Sequence, residues 1–416
     1  MLAESIPIYP LYALLFSDAG LSGAQISTLF LLWSAVGIVA EVPAGAMADR
    51  FSRRGALVVS GVLQATGYLL WTTVPGYAAF AAGFVLWGLG GAFGSGALEA
   101  LVYDGMASAG AEEHYVRIYG RVTSAGLLGQ LPAAIAATAL FSTGGYELVG
   151  WVSVACCLAA AAVATRLPET RPKRVRSTGS GSDPRYFAVL RSGLAEAARS
   201  PAVRAAVVAV AVLGGLDGLE EYFTLLARDW GVTTTVVPLA VLGIPLAGAA
   251  GAALGGVAGH LRPRTLAALL TAAVAVFGGA GLLRRPAGVA GIALAYGLYQ
   301  LVAVVTEARL QERIEGSARA TVTSVAAVGN DLTAIALYAM WALNQPVLVV
   351  VAVLAMAAGL PWLLRPRRTG PDRTGPVEPA DREDDDVDDV SGRRRLGEPQ
   401  QVAHREPTGL LGRERR

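Results

Sequence analysis

The chain reads as an all-α polytopic membrane protein, and three observations predict that class. First, 54% of its 416 residues are hydrophobic, 50 more are glycine, and only 16% are charged, against roughly 25% in ordinary soluble chains. Second, the charges are segregated into short stretches between long apolar runs. Third, arginine crowds the stretches on one side of those runs and is sparse on the other, as it does in cytoplasmic loops.

Apolar runs broken by charge, proline or glycine clusters divide the chain into twelve spans: 2–19, 25–46, 56–74, 78–104, 118–141, 146–166, 203–227, 234–258, 265–283, 287–308, 320–342 and 346–364. The apolar part of the first, Ile6 to Ala19, falls short of the ~20 residues a bilayer requires, and Glu4 stands close by. Either this helix is tilted and incomplete or the start codon is placed late. No basic segment precedes it, so no cleavable signal is expected. Arg50, Arg53, Arg54, Arg117, Arg121, segment 166–204, Arg262, Arg264, Arg313 and Arg319 share one side. Ser22-Gly-Ala, Pro75-Gly, Ser142-Thr-Gly-Gly and Asn344-Gln-Pro share the other, with Arg228, Arg284 and Arg285 as exceptions. The arginine-rich side is cytoplasmic, which puts both termini inside. Trp71, Trp151, Trp230 and Trp341 are then expected at the outer interface, where indoles prefer to sit.

The longest internal loop separates six spans from six. The expected organisation is an N-terminal six-helix bundle at 1–166, a cytoplasmic linker at 167–202 with an amphipathic helix at 185–199, a C-terminal bundle at 203–364, and a disordered cytoplasmic tail at 365–416. The halves repeat. Val122-Thr-Ser-Ala-Gly-Leu-Leu-Gly-Gln130 matches Val322-Thr-Ser-Val-Ala-Ala-Val-Gly-Asn330, and Leu98-Glu-Ala-Leu matches Thr306-Glu-Ala-Arg. Gly45-Ala-Met-Ala-Asp-Arg matches Gly255-Gly-Val-Ala-Gly-His260. Parallel repeats of six spans, related by an axis along the membrane normal, describe one transporter architecture.

Several function classes are excluded. A net charge of +2, with arginine confined to loops, sets topology and is no nucleic-acid footprint. Lys173 is the single lysine, so no ATP-binding G-x-x-x-x-G-K-[ST] motif exists; a gradient must drive any active transport. Cys156 and Cys157 are neighbours that point about 100° apart on a helix, and His114, His260 and His404 are scattered. No metal, no cofactor and no enzymatic nucleophile–base pair is expected. The glycines from Gly88 to Gly96 lie mid-span with no preceding strand, so they read as close helix packing. An Arg-, Ala- and Gly-heavy composition suggests a G+C-rich bacterium, hence its cytoplasmic membrane.

The most informative stretch is Gly45-Ala-Met-Ala-Asp-Arg-Phe-Ser-Arg-Arg54, between the second and third spans. It resembles the diagnostic loop of the major facilitator superfamily, G-x-x-x-D-R/K-x-G-R-R/K, through Gly45, Asp49, Arg50, Arg53 and Arg54, with Ser52 for the second glycine. Leu167-Pro-Glu-Thr170 resembles the family as well, and the likeness covers about 5–365. It implies twelve helices in two pseudo-symmetric bundles. It also implies that Asp49 pairs with the motif arginines and a helix end of the other half, latching the outward-facing state. Families resembling drug/proton antiporters carry an arginine in the fourth span, where this chain has Phe84-Val-Leu-Trp-Gly88, and a G-P dipeptide in the fifth, where it has Gly129-Gln-Leu-Pro132.

Asp217, Glu220 and Glu221 lie near the middle of the seventh span. Asp217 and Glu221 are four apart and are expected on one helix face. A mid-membrane acid costs ~2.5–3.5 kcal/mol by insertion scales, and such a cluster suits a proton carrier. Gln130 in the fifth span, with Asn330 and Asp331 in the eleventh, suits either a midplane binding site or interhelical hydrogen bonding. Glu41, Glu99, Asp104 and Glu307 lie nearer the cytoplasmic end, with Arg117, Arg121, Arg309 and Arg313 as plausible partners in an inner gate. The reading is a monomeric, lipid-embedded secondary transporter that exports a small organic molecule in exchange for protons. A symporter of a metabolite, or a non-transporting receptor or scaffold on the same fold, is the alternative.

Overall fold

The computed structural model describes residues 5–95, 97–111, 114–169, 200–314 and 319–365. Among them the chain is helical with no strand. Among the described residues nine helices are long and apolar enough to cross a membrane, and a shorter apolar helix, Val347–Leu363, follows. The expected helix at 185–199 and nearly all of the tail fall outside the described residues.

The helices begin where local chemistry allows. Helix α1 is Tyr12–Asp18. Helix α2, Gly23–Arg50, opens with a capping box in which Ser22 Oγ accepts from Gln25 N–H while the Gln25 side chain accepts from Ser22 N–H, satisfying two otherwise orphan donors. Helix α3, Arg53–Thr73, is capped by Ser52. Gly76, at φ 129°, turns the chain into α4, Tyr77–Gly94, and α5 is Ala97–Ser108. Helix α6, Tyr115–Ala164, is broken at Gly144 and Gly145, the latter at φ 59°. The break divides it into two crossings at the place the sequence puts a loop. The second half contains α7 (Pro201–Gly215), a 3₁₀ segment Leu216–Tyr222, α8 (Phe223–Asp229), α9 (Val237–Val241) and α10 (Gly243–Val257). It continues with α11 (Pro263–Leu283), α12 (Gly288–Arg313), α13 (Arg319–Ala342) and α14 (Pro346–Leu363). Prolines at the first turn of α7, α11 and α14 occupy a position where the missing N–H costs nothing.

Three elements and two tryptophans differ from the reading above. The first span is helical only from Tyr12, preceded by turns over 7–11, because Pro7 and Pro10 cannot donate to a helical ladder. The fourth span breaks at Ser95, which is extended (φ −61°, ψ 146°) between Gly94 and Gly96; glycine is a poor helix former. The seventh tightens to 3₁₀ through its acids. Trp71 and Trp230 are buried, at 2% and 6% exposure, rather than at an interface: Trp71 Nε1 donates to Phe80 O at 3.1 Å, and Trp230 packs on Gly288.

Packing brings the halves together. Helix α13 lies against both α7 and α2, and α9 lies against α6. The glycine run in α4 works as expected at two positions. A Cβ on Gly88 would meet Val36 Cγ1 at 3.0 Å, and one on Gly90 would meet Gln64 Cγ at 2.8 Å. The buried rings of Tyr12, Phe16, Phe30, Trp71, Phe80 and Phe84 form a continuous edge-to-face and tilted cluster, with Phe16 and Phe80 centroids 4.4 Å apart. It lies toward the Ser22 end of α2. That helix has 28 residues, so its Ser22 and Phe51 ends are about 42 Å apart. The two sides are called the far end and the motif end below.

Candidate functional site

At the motif end, Ser52 does two jobs. Its Oγ accepts from Gly55 N–H at 2.8 Å and donates to Glu169 Oε2 at 2.8 Å. Glu169 Oε1 accepts from Arg53 N–H at 2.8 Å, and Arg54 Nε stands 3.8 Å from Oε2. A carboxylate from the Leu167-Pro-Glu-Thr stretch therefore sits on the N-terminus of α3, where the helix dipole favours negative charge. Burial opposes ionisation of Glu169, but the Ser52 hydroxyl, the Arg53 and Arg54 N–H groups and the Arg54 charge outweigh it and hold the carboxyl below its ordinary 4.5. Its contribution is thus full above that value and fades as pH falls through the lowered one. Glu169→Gln should cost about 0.3–1 kcal/mol, read as a lower melting temperature in detergent at pH 7. The gap from the unaltered protein should close in acid, where both side chains are neutral.

The Arg53 guanidinium pairs with Asp104 on α5 and donates to Ala100 O at 3.1 Å. Arg50 is exposed, its guanidinium 5.5 Å from the Phe51 ring centre. Gly45 has open space around it. Asp49 is the penultimate residue of α2, and its side chain lies outside the described part.

Between the ends is a cavity of about 860 Å³. It runs from Glu220 and Glu221 to Ala164 and Leu167, next to the motif-end contacts, and Gln130 borders it. Tyr9, Tyr12, Tyr68 and Trp87 give it an aromatic wall. The 3₁₀ geometry decides which acids act together. With three residues per turn, positions i and i+3 eclipse while i+4 turns away. Tyr296 O–H accordingly bridges Asp217 Oδ1 (2.8 Å) and Glu220 Oε2 (3.3 Å), and Gln300 Nε2 donates to Asp217 at 3.0 Å. Glu221 points elsewhere: it is buried, at 8% exposure, and accepts from Tyr12 O–H. The face shared by Asp217 and Glu221 in an α-helix does not exist here.

The far end is closed by bonds between early and late parts of the chain. Arg228 donates to Asp18 and to Ser17 Oγ, and Tyr146 O–H donates to Asp18. Tyr222 O–H donates to Ser27 Oγ at 2.8 Å, and its ring stacks on Trp341 at 4.3 Å. Arg228 broke the charge pattern of the loops; its partner Asp18 is the reason it is tolerated there.

A family model of the Major Facilitator Superfamily matches residues 1–337. The chain belongs to this superfamily. It is a membrane transporter by family and not an enzyme. None of the curated proteins matches it by sequence, but solved superfamily structures share its fold. A mutant of the nucleoside transporter NupG aligns with a TM-score of 0.68 at 10% identity, covering 88% of this chain and 98% of that one. A bacterial homologue of the human lysosomal transporter Spinster, in an inward-facing and unoccupied conformation, gives 0.68 at 14% identity, covering 88% and 94%. A D-xylose–proton symporter gives 0.63 at 12%, covering 88% and 95%.

Within this superfamily member the remaining polar residues separate. With its amide nitrogen facing them, Asn330 donates to Val210 O (3.1 Å), Ala211 O (3.2 Å) and Ala326 O (3.1 Å). It thereby ties α13 to α7, while Asp331 beside it is exposed. The acids toward the motif end have separate partners among the described residues: Glu41 accepts from Ser95, Glu99 from Tyr119, and Glu307 from Gln311 at 2.8 Å. Arg309 and Arg313 donate to backbone carbonyls, those of Leu261 and Ala202 among them; Arg117 and Arg121 are exposed. Sequence reasoning missed Tyr12, Asp18 and Glu169 as partners, and the aromatic wall. Of these, Asp18 was signalled only by the out-of-place Arg228, and Glu169 only by its tetrapeptide.

The far-end bonds give a test. Arg228 and Asp18 side chains are 23% and 45% exposed, so the pair is worth about 0.2–1 kcal/mol. Arg228→Ala should shift the two-state balance up to about fivefold toward far-end opening. Spin labels at Ser22→Cys and Thr233→Cys should report a growing long-distance population.

Proposed function

We propose that this transporter moves a small organic molecule across the cytoplasmic membrane of a bacterium by alternating access, exporting it in exchange for protons. The halves 1–166 and 203–364, joined by 167–202, rock against each other, and the arginine-rich motif end with both termini is cytoplasmic. The observation that carries this reading is a cavity reaching toward the motif end, with carboxyls at its other extremity and cross-chain bonds sealing the far end. That is the expected form of an inward-facing state. Proton coupling is supported by Glu220 and Glu221 bordering the cavity: a carboxyl there can take or release a proton as the cavity gains or loses water. A D-xylose–proton symporter among the structures of like fold keeps proton-coupled uptake as the second reading. In both, Asp49 and the motif arginines form the latch of the opposite state.

Reconstitution of the full chain into vesicles with an internal pH-sensitive dye tests the proposal. Solute-dependent proton movement supports it, its sign gives the direction, and none across a broad metabolite panel counts against it. Asp49→Asn should preserve expression and remove most transport; normal flux in that variant would discard the latch.

A further inference from the structure

We propose that the cavity takes a lipophilic organic cation, its charge at Glu220 and Glu221 and its apolar body against Tyr9 and Trp87; this rests on the transport reading above. Two independent features of the same space lead there. The first is charge. Both glutamates line the cavity, and no Lys, Arg or His is among its described lining residues. Three arginines toward the two ends of the bundle are engaged elsewhere: Arg53 with Asp104, Arg54 with Glu169, and Arg228 with Asp18. An anion entering this space would lose its hydration and meet only like charge. A neutral molecule would give the ionised carboxyls no counter-charge and would leave them to hold a proton instead. A cation supplies one.

The second feature is the wall. Tyr9 lies 5.8 Å from Tyr12 and 6.0 Å from Trp87, centre to centre, and Tyr68 lies 6.3 Å from Trp87. Such contiguous rings offer faces to a cation and a broad apolar surface to its substituents. Trp87 is backed by Trp33, stacked at 4.9 Å, so its ring is held in place. Gln64, Gln130 and Ser60 on the lining add hydrogen-bonding groups that orient the solute. The 860 Å³ volume lies within the range of drug-sized ligand pockets.

The test uses two ions of one shape and opposite charge, tetraphenylphosphonium and tetraphenylborate, in equilibrium dialysis against the purified full chain in detergent. Saturable binding of the phosphonium is expected, with the borate at least about tenfold weaker. Trp87→Leu should weaken phosphonium binding about tenfold. Glu220→Gln combined with Glu221→Gln should abolish the preference between the ions, with melting temperatures confirming that each variant folds. Equal binding of both ions by the unaltered chain, no saturable phosphonium binding, or a preference that survives loss of both carboxyls overturns the inference. Vesicle flux separates the two readings. Phosphonium that binds but never crosses sinks the transport proposal and leaves the site standing. A chain that moves a neutral or anionic solute without binding phosphonium sinks the cation site alone.

Discussion

Glutamine in place of Glu221 should leave the transporter folded and, on the proton-coupled reading proposed above, stop coupled flux. The side chain is 8% exposed and accepts a hydrogen bond from Tyr12 O–H. Glutamine retains an oxygen that can accept from that hydroxyl, so packing and the bond between α1 and the 3₁₀ segment are kept, and a buried donor is not orphaned. What is lost is the ability to exchange a proton at the junction of the two halves. We expect a normal melting temperature, normal yield, and at least a tenfold drop in solute-dependent proton movement, on the order of 1.4 kcal/mol in the coupled step. Asp217→Asn should be milder, because Asp217 shares Tyr296 with Glu220 and one acid of that pair remains. Full flux in the Glu221 variant would move the coupling role to Asp217 and Glu220.

Alanine in place of Gly251 should destabilise the second half. Helices α10 and α12 approach so closely that a methyl at Gly251 would overlap the carbonyl oxygen of Gly297, while one at Gly255 would meet Leu301 O at 3.0 Å. Backbone cannot swing aside as a side chain can, so the helices must separate. Overpacking of this kind costs about 1–3 kcal/mol. The control lies on the same helix: a Cβ at Gly256 meets nothing within 4 Å, and Gly256→Ala should be neutral or slightly stabilising, since alanine is the better helix former. A lower melting temperature for the first variant and an unchanged one for the second is the expected pair. Equal behaviour of the two would mean that the close approach is absent in the membrane.

Much of the fold was legible because membrane spans are written in a coarse code. Hydrocarbon tolerates a single crossing helix only when it is long and apolar with its charges outside, so composition alone located the ends of α3, α11, α12, α13 and α14 to within a few residues. Even the break in α6 was announced by Gly144 and Gly145. The seventh-span acids were visible as a cost that needed a reason. Their grouping was not, because the choice between α and 3₁₀ geometry over Leu216–Tyr222 is made by what packs around the segment, including Tyr296 on α12 and Tyr12 on α1. Glu169 illustrates the same limit. Its tetrapeptide was noticed as a resemblance, yet its place on the N-terminus of α3 joins residues more than a hundred positions apart.

The sequence by itself determined that this chain lies in a bilayer, which side of each span is charged, and the motif that marks its superfamily. Those properties depend on residues near one another along the chain, or on the solvent each segment must meet. Only the tertiary structure decided that Arg228 finds Asp18, that Glu221 finds Tyr12, and that Tyr9 and Trp87 line the same hollow as two carboxyls. Such pairings are set by how helices cross and how closely glycine lets them approach, and hydropathy, which records each residue's preference for lipid or water, carries no information about its neighbour across the bundle.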